Sequence, residues 1–403
     1  MVQAGLPSSR VGLWLIGARG GVAVTTITGL AALSRGLTGG VGLATAAPPL
    51  ADLPLPEWGD FVVGGHEIRA TTLAAELDRL HRDSRVIDPA TIAQVQDDLF
   101  AADREIRPGV AWNVGPRIAE LAGPEINRAE GPRDAIARIQ ADLADFRRRH
   151  ELETVVVLNL ASTEAALPPE SWPGTWAEVE TLLDAPACPL PASSLYAIAA
   201  LDAGLPYVNF TPSLGATPAG IDELARRRGT CHAGRDGKTG ETLLKSVLAP
   251  MFAARRLEVM SWVGHNIFGN LDGRVLDDPA NKEAKLKSKD ALLGEILGYA
   301  PQTHISIEYI ASLGDWKTAW DHVHFRGFLG TPMTLQFTWQ GCDSLLAAPL
   351  VLDLARLAIH ARRRGEVGAI TPLASFFKSP LGAAPHAFAD QVRALHEWAA
   401  GSR

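Results

Sequence analysis

Cysteine is scarce: Cys188, Cys231 and Cys342 are the only three in 403 residues, far apart and with no CxxC pair. That spacing excludes a disulfide framework and a thiolate zinc site, leaving reduced thiols as the plain reading. Positive charge is short as well. With 38 basic against 45 acidic residues and a formal net charge of −7, there is no broad cationic surface for nonspecific nucleic-acid binding, so any anion must be held locally. No uninterrupted apolar run approaches a membrane span, since the apolar stretch from Val11 is broken at once by GARGG, and the start reads as untargeted. No internal repeat or low-complexity tract stands out. What the chain does have is 47% hydrophobic residues, ample for the packed core of one large domain or two ordinary ones. The expectation is a soluble cytoplasmic enzyme with neither nucleic acid nor membrane as partner.

Residues 11–16 read as a buried strand, 17–23 as a glycine turn, and 24 onward to about 33 as a helix. In that setting Gly17 permits a tight turn, Gly20 or Gly21 admits a pyrophosphate, and the helix N-terminus faces its charge. Arg19 stands where a GxGxxG fingerprint has its middle glycine, so a plain strand-to-helix turn is the competing reading. Strands at 154–160 and 206–210 both end in small polar residues, Asn159, Ala161, Ser162 and Thr163 in one and Asn209, Thr211 and Ser213 in the other. Such residues just past parallel strands line a cofactor crevice. Residues 102–150 read as a helix pair, 164–192 as a surface loop, and 347–364 as an amphipathic helix whose basic end suits its dipole.

Four lysines in the last third, Lys285, Lys289, Lys317 and Lys378, fall in apolar or crowded segments. Burying several ammonium groups together is costly unless an anion or oxyanion compensates them. The stretch 233–242 has a superficial P-loop look, but His232 occupies the first required glycine position and no hydrophobic strand immediately precedes it, so a nucleoside-triphosphate site is rejected. Thr239, Gly240 and Thr242 at the following helix start either hold one phosphate or simply cap the helix. Beyond an Asn/Asp/Gly turn ending at Gly273, Asp277 or Asp278 caps a helix carrying Pro279 in its first turn. On it Lys282, Lys285 and Lys289 share a face and Lys287 points elsewhere. A solvated lysine row is one explanation; delivery into a phosphate and carbonyl site also explains why the row comes directly after that turn. Residues 304–310 alternate as a strand, and Asp315 with Lys317 just beyond forms either a local ion pair or a poised amine. Lys378, after two phenylalanines, either snorkels outward or is held in a pocket.

The ordered series GARGGVA, FVVGGHEI, LNLAST, PYVNFTPS, GRDGKTGET, HNIFGNLDG, KLKSKD, SLGDWK, GCDSLLAAPLVLDL and FFKSPL resembles, over nearly the whole chain, the myo-inositol-phosphate synthase family. The resemblance implies an α/β fold: a Rossmann-type NAD-binding domain over 1–242, completed by a C-terminal segment at 347–403, with an inserted mixed α/β catalytic and tetramerisation domain at 243–346. It implies NAD as cofactor, a hexose 6-phosphate as substrate and a homotetramer. Carried over by motif, the active-site lysines are Lys285, Lys289, Lys317 and Lys378, with Asp236 and Asp272 beside them. Gly17, Ala18, Arg19, Gly20, Gly21, Glu67, Ala161, Ser162, Thr163, Asp315 and Asp343 fall to the cofactor. Thr239, Gly240, Glu241, Thr242 and Asn270 fall to the substrate phosphate, with Lys289 shared; no metal is assigned. The chain departs from the family at Glu241, where glutamine is usual, and in TPSLGATPAG and GARGG. A carboxylate facing a phosphate dianion has to turn away or pair with lysine.

The implied chemistry is oxidation at carbon five of the open-chain sugar phosphate, loss of a proton from carbon six, attack of the enolate on the carbonyl carbon and reduction, with no net oxidation. Clustered ammonium groups answer the enolate oxygen. Three other readings compete: closure of fructose 6-phosphate to a five-membered cyclitol phosphate, an ordinary NAD-dependent dehydrogenase, and a catalytically inactive NAD-binding regulatory protein. Lys285→Ala or Lys317→Ala is expected to lower turnover by orders of magnitude with the fold retained, as loss of an acid/base or oxyanion group does, while Lys287→Ala leaves it nearly unchanged. Equal losses at Lys285 and Lys287 in steady-state assays would defeat the assignment.

Overall fold

The computed structural model describes residues 10–271, 273 and 293–401. Asp272, Asp277, Asp278, Pro279, Lys282, Lys285, Lys287 and Lys289 therefore lie outside the described residues. The apolar run VGLWLI becomes β1 (Val11–Ile16), buried along its whole length. β1 is flanked by β2 (Phe61–Glu67) and β4 (Val155–Asn159), with β3 (Ile106–Pro108) beyond β2. On the other side come β5 (Tyr207–Asn209), β6 (Cys231–Gly234) and β11 (Gly368–Ala369), giving the order β11-β6-β5-β4-β1-β2-β3. Each of its pairings is parallel.

Alternation along each strand feeds two cores. Val11, Leu13 and Leu15 face the helices Gly21–Ser34 and Asp343–Arg363, in a core with Ile27, Leu30, Val351 and Leu354. Trp14 and Ile16 face the helices Pro132–Arg149 and Ala192–Asp202, packing with Leu143, Phe146 and Leu195. This is a Rossmann-like parallel sheet with helices on both faces.

The second sheet is mixed, in the order β10-β9-β7-β8. β7 (Glu258–Phe268) runs parallel to β8 (Gln302–Tyr309) and antiparallel to β9 (Trp316–Arg326), which is antiparallel to β10 (Pro332–Cys342). Its inner face puts Trp262, Val323 and Phe337 against Phe252 of the helix Gly240–Ala254. The other face carries His265 stacked on Trp320 at 5.7 Å.

Four expectations need correction. Residues 102–150 contain β3 besides their helices, a strand too short for periodicity to reveal. Within 164–192 lies the helix Trp176–Asp184, begun by a Thr175/Glu178 capping box and anchored by buried Val179 and Leu183. A strand, β6, does precede the 235–242 turn; with only four residues it lacks the hydrophobic run that would advertise it. The helix expected at 347–364 as amphipathic is Asp343–Arg363, long and apolar enough to cross a membrane, and 78% of its most apolar window is buried inside the molecule. Two of its charged side chains are satisfied internally: Asp353 accepts from the Ala44 and Thr45 N–H groups and from Thr45 Oγ1, and Arg356 donates to the Pro56 carbonyl and stacks over Trp58.

Candidate functional site

At the carboxyl ends of β1, β2, β4 and β5 lies a cavity of ≈ 400 Å³, the position where open parallel sheets take ligands. Gly17 turns the chain with φ 75°, and a Cβ there would sit 2.9 Å from the Ala161 Cα. Gly21 is equally constrained, since its Cβ would meet Ser344 Oγ at 2.7 Å. Gly20, Gly21 and Val22, the start of helix Gly21–Ser34, line the cavity and offer it the helix's first N–H groups and positive end. Ala18 is fully buried beneath this loop, and the Arg19 guanidinium is held by Asp103 at 2.7 Å; neither lines the cavity.

Glu67, at the end of β2, lines the cavity but spends its oxygens on the loop. It accepts from the backbone N–H of Arg19, Ile68 and Arg69 at 3.0, 2.8 and 3.0 Å and from Arg69 Nη2 at 3.1 Å. Beyond β4, Ala161, Ser162 and Thr163 form the adjoining wall. A buried ladder stiffens it: Asn159 Nδ2 donates to Asn209 Oδ1 and Thr211 Oγ1, and Asn209 Nδ2 donates to the Ser213 carbonyl.

The opposite wall carries the charges. Asp236 holds a left-handed backbone, φ 62°, a conformation uncommon outside glycine and worth attention at a site. It is pinned to the C-terminal segment: the Lys378 N–H donates to its carbonyl at 2.7 Å and Lys378 Nζ to its Oδ1 at 2.8 Å. The Lys378 ammonium is thus held in a pocket rather than snorkelling outward. Lys317 lies 3.8 Å from Asp343 Oδ1 and 5.2 Å from the centre of the Phe268 ring, so the carboxylate it pairs with is Asp343 rather than Asp315. Asp315 instead accepts from the Ser344 N–H at 2.7 Å and from Asn270 Nδ2 at 3.2 Å. Burial, and then the neighbouring Asp343 charge, push its carboxyl above the usual range. Thr239 and Asn270 line the cavity beside them.

Gly240, Glu241 and Thr242 do not line it. Neither Thr239 nor another side chain caps helix Gly240–Ala254 among the described residues. Residues that the sequence left unremarked also line the cavity: Arg69, Glu164, Ser193 and Ser344. Glu164 directly follows the LNLAST motif, which was the available signal. Lys238, within GRDGKTGET, is buried, donates to Gln391 Oε1 at 2.5 Å, and is lowered to about 8 by burial and by Lys378. The long cavity, glycine turn and exposed helix end fit a dinucleotide. Among the described residues no three His, Cys, Asp or Glu side chains converge as a metal site.

A family model described as myo-inositol-1-phosphate synthase, whose name denotes an NAD-binding domain, matches residues 42–400. An inositol-3-phosphate synthase of Bacteroides thetaiotaomicron is 32% identical over 394 residues, covering 93% of this chain and 90% of its own. The inositol-3-phosphate synthase of Spirodela polyrhiza is 31% identical across 79% of this chain, which spans 64% of that relative's length. Among solved structures, the Caenorhabditis elegans inositol-3-phosphate synthase superposes with a TM-score of 0.85 at 22% identity, over 98% of this chain and 86% of that one. A myo-inositol-1-phosphate synthase-related protein of Thermotoga maritima gives 0.79 at 24%, over 97% and 98%. These two likenesses concern the fold.

Glu241 resolves its own anomaly by turning into the protein. Its carboxylate lies 2.6 Å from Lys245 Nζ, which is itself 3.9 Å from Asp321 Oδ1, and the Trp262 indole N–H donates to that same Asp321 oxygen at 2.7 Å. All three charged residues are buried. Removing the cation of a buried ion pair costs about 3–5 kcal/mol. Lys245→Met is therefore expected to destabilise the protein on that scale in denaturant unfolding at neutral pH; a loss below about 1 kcal/mol, the surface-pair range, would show that the cluster is not sealed from water.

Proposed function

The chain belongs to the myo-inositol-1-phosphate synthase family, and on that premise we propose that it converts a hexose 6-phosphate, glucose 6-phosphate first, into an inositol phosphate with NAD retained throughout the cycle. The observation that carries the reading is a single cavity joining the glycine turn to two ammonium groups, Lys317 and Lys378. A dinucleotide site alone would need no such cations, whereas an oxyanion developing between them would be stabilised by both.

NAD, when bound, supplies reversible two-electron oxidation of the sugar carbon. The chain's own residues supply the rest. Gly20, Gly21 and the helix end behind them receive the pyrophosphate, and Ser162 and Thr163 border the reacting half of the cavity. Lys378, oriented by Asp236, and Lys317, oriented by Asp343, face the space where an enolate oxygen develops; a preorganised cation stabilises that charge without reorganising. With each ammonium already balanced by one carboxylate, a substrate oxyanion joins a fixed ion pair rather than drawing in water. Thr239 borders the place of the phosphate group, and proton transfer and a further charge are assigned to Lys285 and Lys289 by motif alone.

Purified protein given glucose 6-phosphate and catalytic NAD is expected to release a six-membered cyclitol phosphate with no sustained rise in free NADH, monitored by NADH absorbance and by product identification. Continuous stoichiometric NADH would rule out cyclisation. A five-membered product formed only from fructose 6-phosphate would transfer the assignment to the other ring size.

We also read the outer face of the second sheet as an assembly surface, with the NAD-binding parts outward in a homotetramer. His265 is exposed and stacked on Trp320, itself 38% exposed, and Phe328 and Leu329 at the β9–β10 turn are almost bare; a sheet face with such groups is usually covered by another copy. Light scattering at micromolar concentration is expected to give a dimer or tetramer, and a fully active monomer would refute it.

A further inference from the structure

Glu164 is a buried carboxyl in the cavity wall that the chemistry above does not use. It comes directly after Thr163, on the β4 side of β1, whereas Glu67 marks the β2 side. In a Rossmann-type crevice the adenosine lies over the β2 side and the nicotinamide past the point where the strand order reverses, which puts Glu164 on the nicotinamide half. The site is built around it. Glu164 Oε1 accepts from the Ser193 N–H at 2.9 Å and Oε2 from Ser193 Oγ at 2.5 Å. Ser193 Oγ in turn accepts from the Gly215 N–H at 3.1 Å, which leaves its own proton for Glu164. The Glu164 N–H donates to Ser213 Oγ at 3.0 Å. Ser193 lies in the first turn of helix Ala192–Asp202, so the positive helix end also faces the carboxylate. Among the described residues no lysine or arginine is paired with it.

We propose that Glu164 sets the relative affinity of this cavity for oxidised and reduced nicotinamide, its carboxylate favouring the cationic pyridinium ring over the neutral dihydro ring. The inference rests on the reading of the cavity as an NAD site. A lone buried carboxylate gains a partner when a cationic ring binds nearby and loses it when the ring is reduced. The same preference makes the reduced cofactor a stronger hydride donor in the final reduction and the oxidised cofactor a correspondingly weaker acceptor in the first oxidation.

Burial raises the Glu164 carboxyl to about 7, against the lowering effect of its bonds to Ser193. It is therefore neutral below that pH and anionic above it, so the advantage of the oxidised form grows as pH rises through 7. The other groups around it are Tyr196 from the helix that carries Ser193 and Tyr207 from β5, both raised by burial and uncharged across this range. Arg235 follows β6 and donates to the Pro212 carbonyl, and Asp236 and Lys378 stand on the facing wall.

The test is equilibrium binding of NAD+ and NADH to the whole protein, by calorimetry or protein fluorescence, from about pH 6 to 8.5. The ratio Kd(NADH)/Kd(NAD+) is expected to rise about tenfold, the effect of a unit charge some 10 Å away at an effective dielectric near 20, and Glu164→Gln should flatten that rise. A residue that merely held the loop would change both constants together and leave the ratio's pH profile unaltered, which would overturn the inference while keeping the cofactor site. Failure of both nucleotides to bind the wild-type protein would instead defeat the cofactor reading and this inference with it. Should Glu164→Gln fail to fold, Ser193→Ala serves: loss of the hydroxyl donor should move the midpoint of the rise to higher pH, and an unmoved midpoint would be equally fatal.

Discussion

The two sheets meet at a buried carboxylate. Asp315, at the turn into β9, accepts from the Ser344 N–H in the first turn of the buried helix and from Cys342 Sγ, while its own N–H donates to Ser84 Oγ and its carbonyl accepts from the Asp343 N–H. One residue thereby satisfies a helix start, the end of β10 and the end of the helix Leu73–Ser84. Helix starts carry unmatched N–H groups that must find acceptors when buried, and here the acceptor comes from a different sheet. The position of Lys317 two residues later, and of Asp343 beside it, is set by that junction.

The distribution of charge obeys one rule throughout the site. Among the described residues, each lysine or arginine lining the cavity is matched to a carboxylate: Lys378 to Asp236, Lys317 to Asp343, Arg69 to Glu67 and Glu76, and Arg79 to Glu76. Such pairs orient the groups and lower the cost of desolvating them, without adding much net stability of their own. The acid at position 241, which would repel a phosphate, is withdrawn into a sealed cluster with Lys245. Its neighbour Thr239 remains at the cavity.

Much of this was legible in the residues because the strongest signals are local. Buried apolar strands β1 and β4, the glycine turn between β1 and its helix, and the polar ends of β4 and β5 all lie in contiguous motifs, and the ordered motif series carried the family. What escaped was decided at a distance. β3 and β6 are three and four residues long and exist because neighbouring strands offer hydrogen bonds. The helix Asp343–Arg363 read as amphipathic with a basic end, yet its mid-helix charges Asp353 and Arg356 are answered inside the protein by residues near 45 and 56. Sequence proximity suggested Asp315 as the partner of Lys317, and Asp343 came beside it only through the pairing of β9 with β10. Glu164 was passed over because a glutamate after a polar motif looks like any surface acid until Ser193 and Ser213 close around it.

The clasp between residues 235–238 and 376–379 has a consequence for how the protein is made. Its backbone bonds, Arg235 with Ser379 and Lys238 with Phe376, reinforce the Lys378–Asp236 pair across a separation of 142 residues. Domains fold as units during synthesis, yet β1 and the helix Gly21–Ser34 complete their core only against the helix Asp343–Arg363, which is made near the end. The facing wall waits on the same stretch of chain. Until the last segment has been added and has closed on Asp236, a growing chain has neither a finished glycine-turn wall nor Lys378 opposite it. The order of synthesis thus keeps both walls of the site from existing before the chain is nearly whole.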